Sequence, residues 1–251
     1  MHDMQIRHFI LVSTALLSST GCNSEKVAEA KNAPEVTAAA VRAPNNGDWS
    51  TVVARTPEGG FLMGNPNARV KLVEFGSLTC HVCAEFEEQG GKALVDNYVK
   101  KGLVSWEFRN FVRDPFDVAA SLLARCGGEA TFFGLTRNLF ADQQEWVGKI
   151  QAADPAQVQA LQTMLPAQQF STIADLGGLK QYAAMRGVPR AKGEQCLADQ
   201  NEVNRLVQMN TDAVTNYSIS GTPTFLINGS VVERTVRWEA LEPKLRAAIG
   251  A

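Results

Sequence analysis

Cys80 and Cys83, separated by His81 and Val82, are the residues of this chain whose types and spacing point most directly to a reaction. Two thiols so placed can close into a disulfide and reopen. That is the chemistry of thiol-disulfide exchange, in which a thiolate attacks a disulfide sulfur and passes through a mixed disulfide. The same spacing also binds zinc, so a C-x-x-C pair alone does not choose between the two. A zinc site needs four ligands within reach. The chain has no second C-x-x-C and no histidine-rich partner motif, so neither a metal nor any other cofactor is expected.

What the pair can do depends on the elements that hold it. Val70 to Phe75 is an apolar run punctuated by Lys71 and Glu74, as in a central strand buried on both faces, and Gly76-Ser77 end it. From Cys80 to about Val99, the residues Phe86, Leu94, Val95 and Tyr98 recur at roughly helical spacing; Gly90-Gly91 interrupts them, and a kink is expected there. Leu103 to Phe111 then alternates, with Val104, Trp106 and Phe108 on one side. This is a strand-helix-strand unit whose crossover should be right-handed. Cys80 opens its helix, where unsatisfied backbone donors and partial positive charge favour the thiolate. Cys83 falls on the same helical face and can close back on it. A protonated His81 would lower the first thiol's pKa further, whereas a merely solvated histidine would have no redox effect.

The surrounding chain reads as follows. Thr51-Val52-Val53 and Gly59-Gly60-Phe61-Leu62 suggest a short strand pair ahead of Pro66. After Asp114-Pro115 the pattern is helical, broken at Gly127-Gly128, Asp154-Pro155, Pro166, Gly177-Gly178 and Gly187-Val188-Pro189. Asp154 before Pro155 makes a good helix start. A long helix from about Asn201 to Tyr217 precedes Thr222 to Ile227, Asn228-Gly229 and Val231-Val232, a hairpin with a favoured tight turn. Trp238 to Ile249 closes the chain as a helix.

Two segments together resemble the DsbA-like thioredoxin-fold family. Val73-Glu74-Phe75-Gly76-Ser77-Leu78-Thr79-Cys80-His81-Val82-Cys83-Ala84-Glu85-Phe86 is similar to its strand-to-helix segment, and Gly221-Thr222-Pro223-Thr224-Phe225-Leu226-Ile227-Asn228-Gly229 to its cis-proline loop and hairpin. The resemblance implies an α/β thioredoxin fold with an inserted all-helical domain: residues 48–114 and 199–251 form the thioredoxin domain and 115–198 the insertion. It implies a cis bond before Pro223, facing the two sulfurs, with the backbone of Thr222 pairing with an extended substrate segment. It also implies that Glu74 lies buried beneath Cys83, with a raised pKa suited to moving protons. The family's oxidases commonly have Pro-His between the cysteines and Val before the cis-proline, where this chain has His81-Val82 and Thr222. These positions tune the thiolate, so the direction of electron flow stays open: oxidase is the first expectation, reductase the second, isomerase the third.

The remaining cysteines are Cys22, Cys126 and Cys196. Arg7 and His8 precede the apolar run Phe9 to Leu17, too short for a mature bilayer span, and Ser19-Thr20-Gly21-Cys22 resembles a bacterial lipobox despite Ser19 where Leu is usual. Residues 1–22 are expected to be a signal peptide ending at a lipidated Cys22, and residues 23–47, rich in Ala, Asn, Pro and Glu, a flexible tether. Removing Cys22 leaves an even set of four, suited to an oxidising compartment. Cys126 and Cys196 are expected to form a structural disulfide worth roughly 4 kcal/mol in the loop-entropy model; as free thiols they would pack as small hydrophobes.

The expected location is thus the periplasm, on a lipid anchor, and the expected state a monomer; isomerase ranks third because isomerases of this fold generally bear a separate dimerisation domain, for which residues 23–47 are too few. The expected partners are cysteine-containing exported proteins and a membrane redox partner. A composition of 45% hydrophobic and 20% charged residues suits a globular protein. With a net charge of -2 and no basic run interleaved with aromatics, nucleic-acid binding is not expected. A rival of another class is a binding or chaperone module whose C-x-x-C is only a structural bridge.

Overall fold

Val70 to Gly76 is an extended segment with Val70, Leu72 and Phe75 buried, at the centre of the sheet. The computed structural model describes residues 44–250; the expected signal peptide, Cys22 and residues 23–43 of the tether lie outside the described residues. Strands β1 (Val53–Arg55), β2 (Phe61–Met63), β3 (Val70–Gly76), β4 (Val104–Asn110), β5 (Thr224–Ile227) and β6 (Ser230–Val231) form one sheet in the order β1-β2-β4-β3-β5-β6. Only β3 and β4 pair in parallel, as strands joined by a helical crossover do. The strand pair near the N-terminus starts about two residues later than its sequence suggests. Asn45–Gly47 make a 3-10 turn in which Gly47 N–H donates to the carbonyl of Pro44 (3.0 Å).

The crossover runs through α1 (His81–Phe86), a π-type segment Glu87–Gly91, α2 (Lys92–Leu94) and a second π-type segment Val95–Val99. At Gly90-Gly91, where a kink is expected, the helix widens into a π-type turn flanked by right-handed helical backbone angles. Trp238 accounts for the glycine: a Cβ on Gly90 would lie 2.6 Å from that side chain, so glycine lets the ring seat against the helix. The segment between β4 and β5 carries only helices: α3 (Pro115–Cys126), α4 (Phe132–Ala141), α5 (Gln143–Gln151), α6 (Pro155–Ala160), α7 (Pro166–Leu176), α8 (Leu179–Ala184), α9 (Arg190–Leu197) and α10 (Gln200–Tyr217). Its starts follow from capping. Asp114, Asp154 and Asp199 each accept a backbone N–H of the first turn, and proline sits at the first position of α3 and α6. At the hairpin, Asn228 (φ 51°) and Gly229 (φ 83°) supply the left-handed pair that a tight turn requires. Helix α11 (Trp238–Ile249) ends the described chain.

One large core joins the sheet to the insertion. Phe61 stacks on Phe132 at 3.9 Å between centroids, and Phe108, Phe133, Phe140 and Trp106 extend the aromatic cluster. Beside it the buried guanidinium of Arg125 donates to Glu202 (2.6 Å), Asn110 (2.9 Å) and the carbonyl of Gly59 (2.7 Å), tying α3 to α10, β4 and the β1–β2 loop. A smaller cluster of Phe75, Ala213, Ile219 and Leu226 covers another part of the sheet. Among the described residues no helix is long and apolar enough to cross a membrane.

Candidate active site

Strand β3 ends at Gly76, and the loop Ser77-Leu78-Thr79, its first two residues buried and Thr79 half-buried, delivers the chain to Cys80, the N-cap of α1. Both cysteines of the pair are free thiols and both are buried, Cys80 at 3% exposure. Burial alone would raise a thiol's pKa. At Cys80 the local donors outweigh it. The Cys83 thiol hydrogen-bonds to its sulfur, the hydroxyl of Thr222, unpartnered beside the neutral thiol, and the backbone N–H of Cys83 favour the ionised form, and the charge of Arg113 acts in the same sense, so the pKa is pushed down to about 5. At Cys83 burial wins. Its hydrogen bond to Cys80 and the negative charges of Cys80 and Glu74 work in the same direction, so its pKa is raised well above the usual range. Two chemically identical groups are therefore driven apart, one to a ready thiolate and the other to a retained thiol.

Opposite them the Thr222-Pro223 peptide is cis, and the Cys80 thiol donates to the carbonyl oxygen of Thr222 at 3.3 Å. Glu74 is 1% exposed and accepts from Trp106 Nε1 at 3.1 Å. Burial first, and then the nearby charge of Glu87, raise its pKa well above the carboxylate range. Glu74, Cys80, Cys83, Thr222 and Pro223 thus come together. His81 lies beside them, but its imidazole faces outward to Glu85 (3.0 Å). Val82 is half-buried against the core. A cleft of about 730 Å³ opens along this helix, lined by His81, Glu85, Glu87, Arg137, Phe140 and Gln143 among others. The other expected pair, Cys126 and Cys196, is bonded, with S–S 2.07 Å and Cα–Cα 5.7 Å.

Several neighbours escaped the sequence reading. Arg113, whose field reaches Cys80, sits in an irregular segment with no pattern. Asp117 and Gln143 contact the loop before Cys80 from the insertion. The spacing of Asp117, three residues after the helix-capping Asp114, was the one available signal; Gln143 carries none.

A family model described as thioredoxin matches residues 56–247. The protein-disulfide isomerase of Novosphingobium aromaticivorans superposes with a TM-score of 0.72 at 33% identity, covering 76% of this chain and 97% of that one. Wolbachia pipientis alpha-DsbA1 shares the fold, with a TM-score of 0.61 at 20% identity over 75% of this chain and 90% of its own. A Rickettsia felis protein provisionally named a protein-disulfide oxidoreductase is 26% identical over 180 residues, 71% of this chain; the chain spans 56% of that relative's length. Taken with the paired thiols at the helix mouth and the cis-proline facing them, these likenesses mean that the chain belongs to the DsbA-like thioredoxin family.

Proposed function

We propose that this protein exchanges disulfides with cysteine-containing exported proteins, using Cys80 as the attacking and leaving sulfur and Cys83 as its resolving partner. The observation that carries the reading is the Cys80 sulfur itself, held at the start of a helix, 3.3 Å from the carbonyl oxygen before the cis-proline. In the oxidising direction a substrate thiolate attacks Cys80 of the Cys80–Cys83 disulfide, and Cys83 leaves. Its high pKa makes it a poor leaving group unless a proton follows, and Glu74, whose own pKa burial raises well above the carboxylate range, is suited to supply one. The substrate's second thiolate then attacks the mixed disulfide and expels Cys80 as thiolate. Two electrons pass to the enzyme, and a membrane redox partner removes them. The backbone of Thr222 pairs with the substrate segment, while His81 and Val82 flank the reacting sulfur.

Magnitude favours the oxidising direction. A thiol pKa of about 5 lies roughly two units below pH 7, which stabilises the reduced form by about 3 kcal/mol, or about 60 mV for a two-electron couple. A second reading, isomerase or reductase, is supported by the name of the Novosphingobium relative and by Thr222 in place of valine. Equilibration of the pair against glutathione separates them: a potential near that of thioredoxin would favour the reductase. Exchange itself is tested with Cys80→Ser, for which a loss of at least ~1000-fold in dithiol oxidation is expected. Unchanged activity would leave only the binding or chaperone module.

The same proposal places residues 48–114 and 199–251 around the thiols, with 115–198 as the helical insertion, in a monomer. Its N-terminal part is an export signal, 1–22, cut and acylated at Cys22, with residues 23–47 as the tether to a bacterial membrane facing the periplasm. Support comes from the Ser19-Thr20-Gly21-Cys22 pattern and the apolar run before it. Cys22→Ser should move the protein from the membrane fraction to the soluble one, and retention on the membrane would overturn the anchor.

A further inference from the structure

The loop Ser77-Leu78-Thr79, which aims Cys80, runs between β3 and the helical insertion; Ser77 and Leu78 are both 0% exposed. Buried backbone groups need partners. Here the insertion provides them. Asp117 accepts the Leu78 N–H at 2.9 Å and the Ser77 hydroxyl at 2.5 Å. The Gln143 amide donates to the carbonyls of Leu78 (2.8 Å) and Cys80 (3.0 Å). Asp114 takes the Thr79 hydroxyl at 2.8 Å. Asp117 also accepts the N–H of Arg113 at 3.1 Å.

We propose that Asp117 and Gln143 are positioning residues of the exchange site, a carboxylate and an amide through which the helical insertion holds the loop that presents Cys80. The connections run to both sulfurs at one remove. The backbone N–H of Ser77 faces the Cys83 sulfur, and Arg113, whose backbone N–H Asp117 holds, supplies the positive charge that acts on Cys80. Releasing the loop would therefore alter hydrogen bonding and field at the thiols without removing any group that touches them. The chemistry of the position supports this. Burial raises the pKa of Asp117 to about 7, so an ionisable group is kept where its charge is disfavoured. Four donors converge on its two oxygens, the Ser121 hydroxyl at 3.4 Å being the fourth. A residue needed only to start α3 would not require them, since Asp114 already caps that helix.

The inference rests on the reading of Cys80 as nucleophile, but its test reads the thiol and not turnover. The pH midpoint of Cys80 thiolate formation, followed by ultraviolet absorbance on the full chain, is compared among Asp117→Asn, Gln143→Ala and Lys180→Met. Lys180 is buried in the same insertion, bound to Asp175 (2.7 Å) and Glu194 (2.8 Å), and bonds to no loop residue, so its variant controls for lost stability alone. The expected result is a rise of about one pH unit in Asp117→Asn and in Gln143→Ala, with Lys180→Met unchanged. If Asp117→Asn does not fold, Gln143→Ala decides. A midpoint that stays put in the loop-clamp variants, or one that rises equally in Lys180→Met, overturns the proposal. Failure of Cys80→Ser to abolish exchange would instead remove the nucleophile reading and leave this measurement standing.

Discussion

The two cysteine pairs of this protein sit at opposite ends of helices, and their states differ accordingly. Cys80 caps the N-terminus of α1, with Cys83 in its first turn. Cys126 is the last residue of α3, and Cys196 is next to last in α9. A helix N-terminus favours a thiolate and a C-terminus disfavours it. Exposure runs the other way: the free pair is buried, and the bonded pair is half-exposed. Accessibility therefore does not decide which disulfide is labile. The stability of the thiolate that must be released does, and only the first pair has donors gathered around a sulfur.

Breaking the second pair should have the largest effect, and on stability alone. Cys126→Ala with Cys196→Ala opens a link spanning 70 residues, for which the loop-entropy model gives about 4 kcal/mol. Denaturant unfolding should register that loss while dithiol oxidation, measured below the melting temperature, persists. A variant that stays folded yet loses exchange would erase the division of labour between the pairs.

Breaking the first pair from its resolving side should move reactivity instead. Cys83→Ala removes the largest influence lowering the Cys80 pKa, so the thiolate midpoint should climb from about 5 by roughly one to two units, about 1.4–3 kcal/mol. Alkylation rate against pH reports it. No change would mean that the helix terminus, not the partner thiol, sets the acidity.

Much of this contrast is legible in the sequence, and the reason is locality. β3, the helix start at Cys80, the Asn228-Gly229 turn and helix α11 all declare themselves through periodicity or turn chemistry within a few residues. The cis-proline motif is equally local. What escapes is decided across the chain. Gln143 reaches the loop from 63 and 65 residues away, and nothing near it in sequence signals that task. Likewise the alternation in β4 marks Val104, Trp106 and Phe108 as one face but carries no sign that Glu107 and Arg109 opposite are buried too. They pair with each other at 2.8 Å, and Thr56 and Glu58 from the β1–β2 loop add a hydrogen bond and an ion pair.

A third test sharpens the comparison through pH. The folded-state pKa of Glu74 lies above its unfolded value, so between the two the native state holds the extra proton and stability falls as pH rises from about 4.5. Glu74→Gln keeps an acceptor for Trp106 and cannot ionise. It should be as stable as the parent below that pH and more stable above it, with the gap opening no faster than about 1.4 kcal/mol per pH unit. Urea midpoints across pH measure this; a constant gap would mean that Glu74 titrates at the same pH folded and unfolded.

The smallest expected effect comes from Thr222→Val, and it has two opposed parts. In the dithiol the Thr222 hydroxyl is buried without a hydrogen-bond partner, a condition that costs about 1 kcal/mol or more. Ionised Cys80 changes its situation, because the same hydroxyl then helps hold the thiolate. Valine is close in shape and removes both terms. Below the Cys80 pKa, where the sulfur is protonated, the variant should be slightly the more stable; above it the advantage should shrink, and the thiolate midpoint should rise by a fraction of a unit to about one unit. Parallel unfolding curves for the reduced protein on either side of pH 5 resolve the two. A stabilisation that does not depend on pH would mean that the hydroxyl never engages the sulfur, and that Thr222 serves the site through its backbone alone.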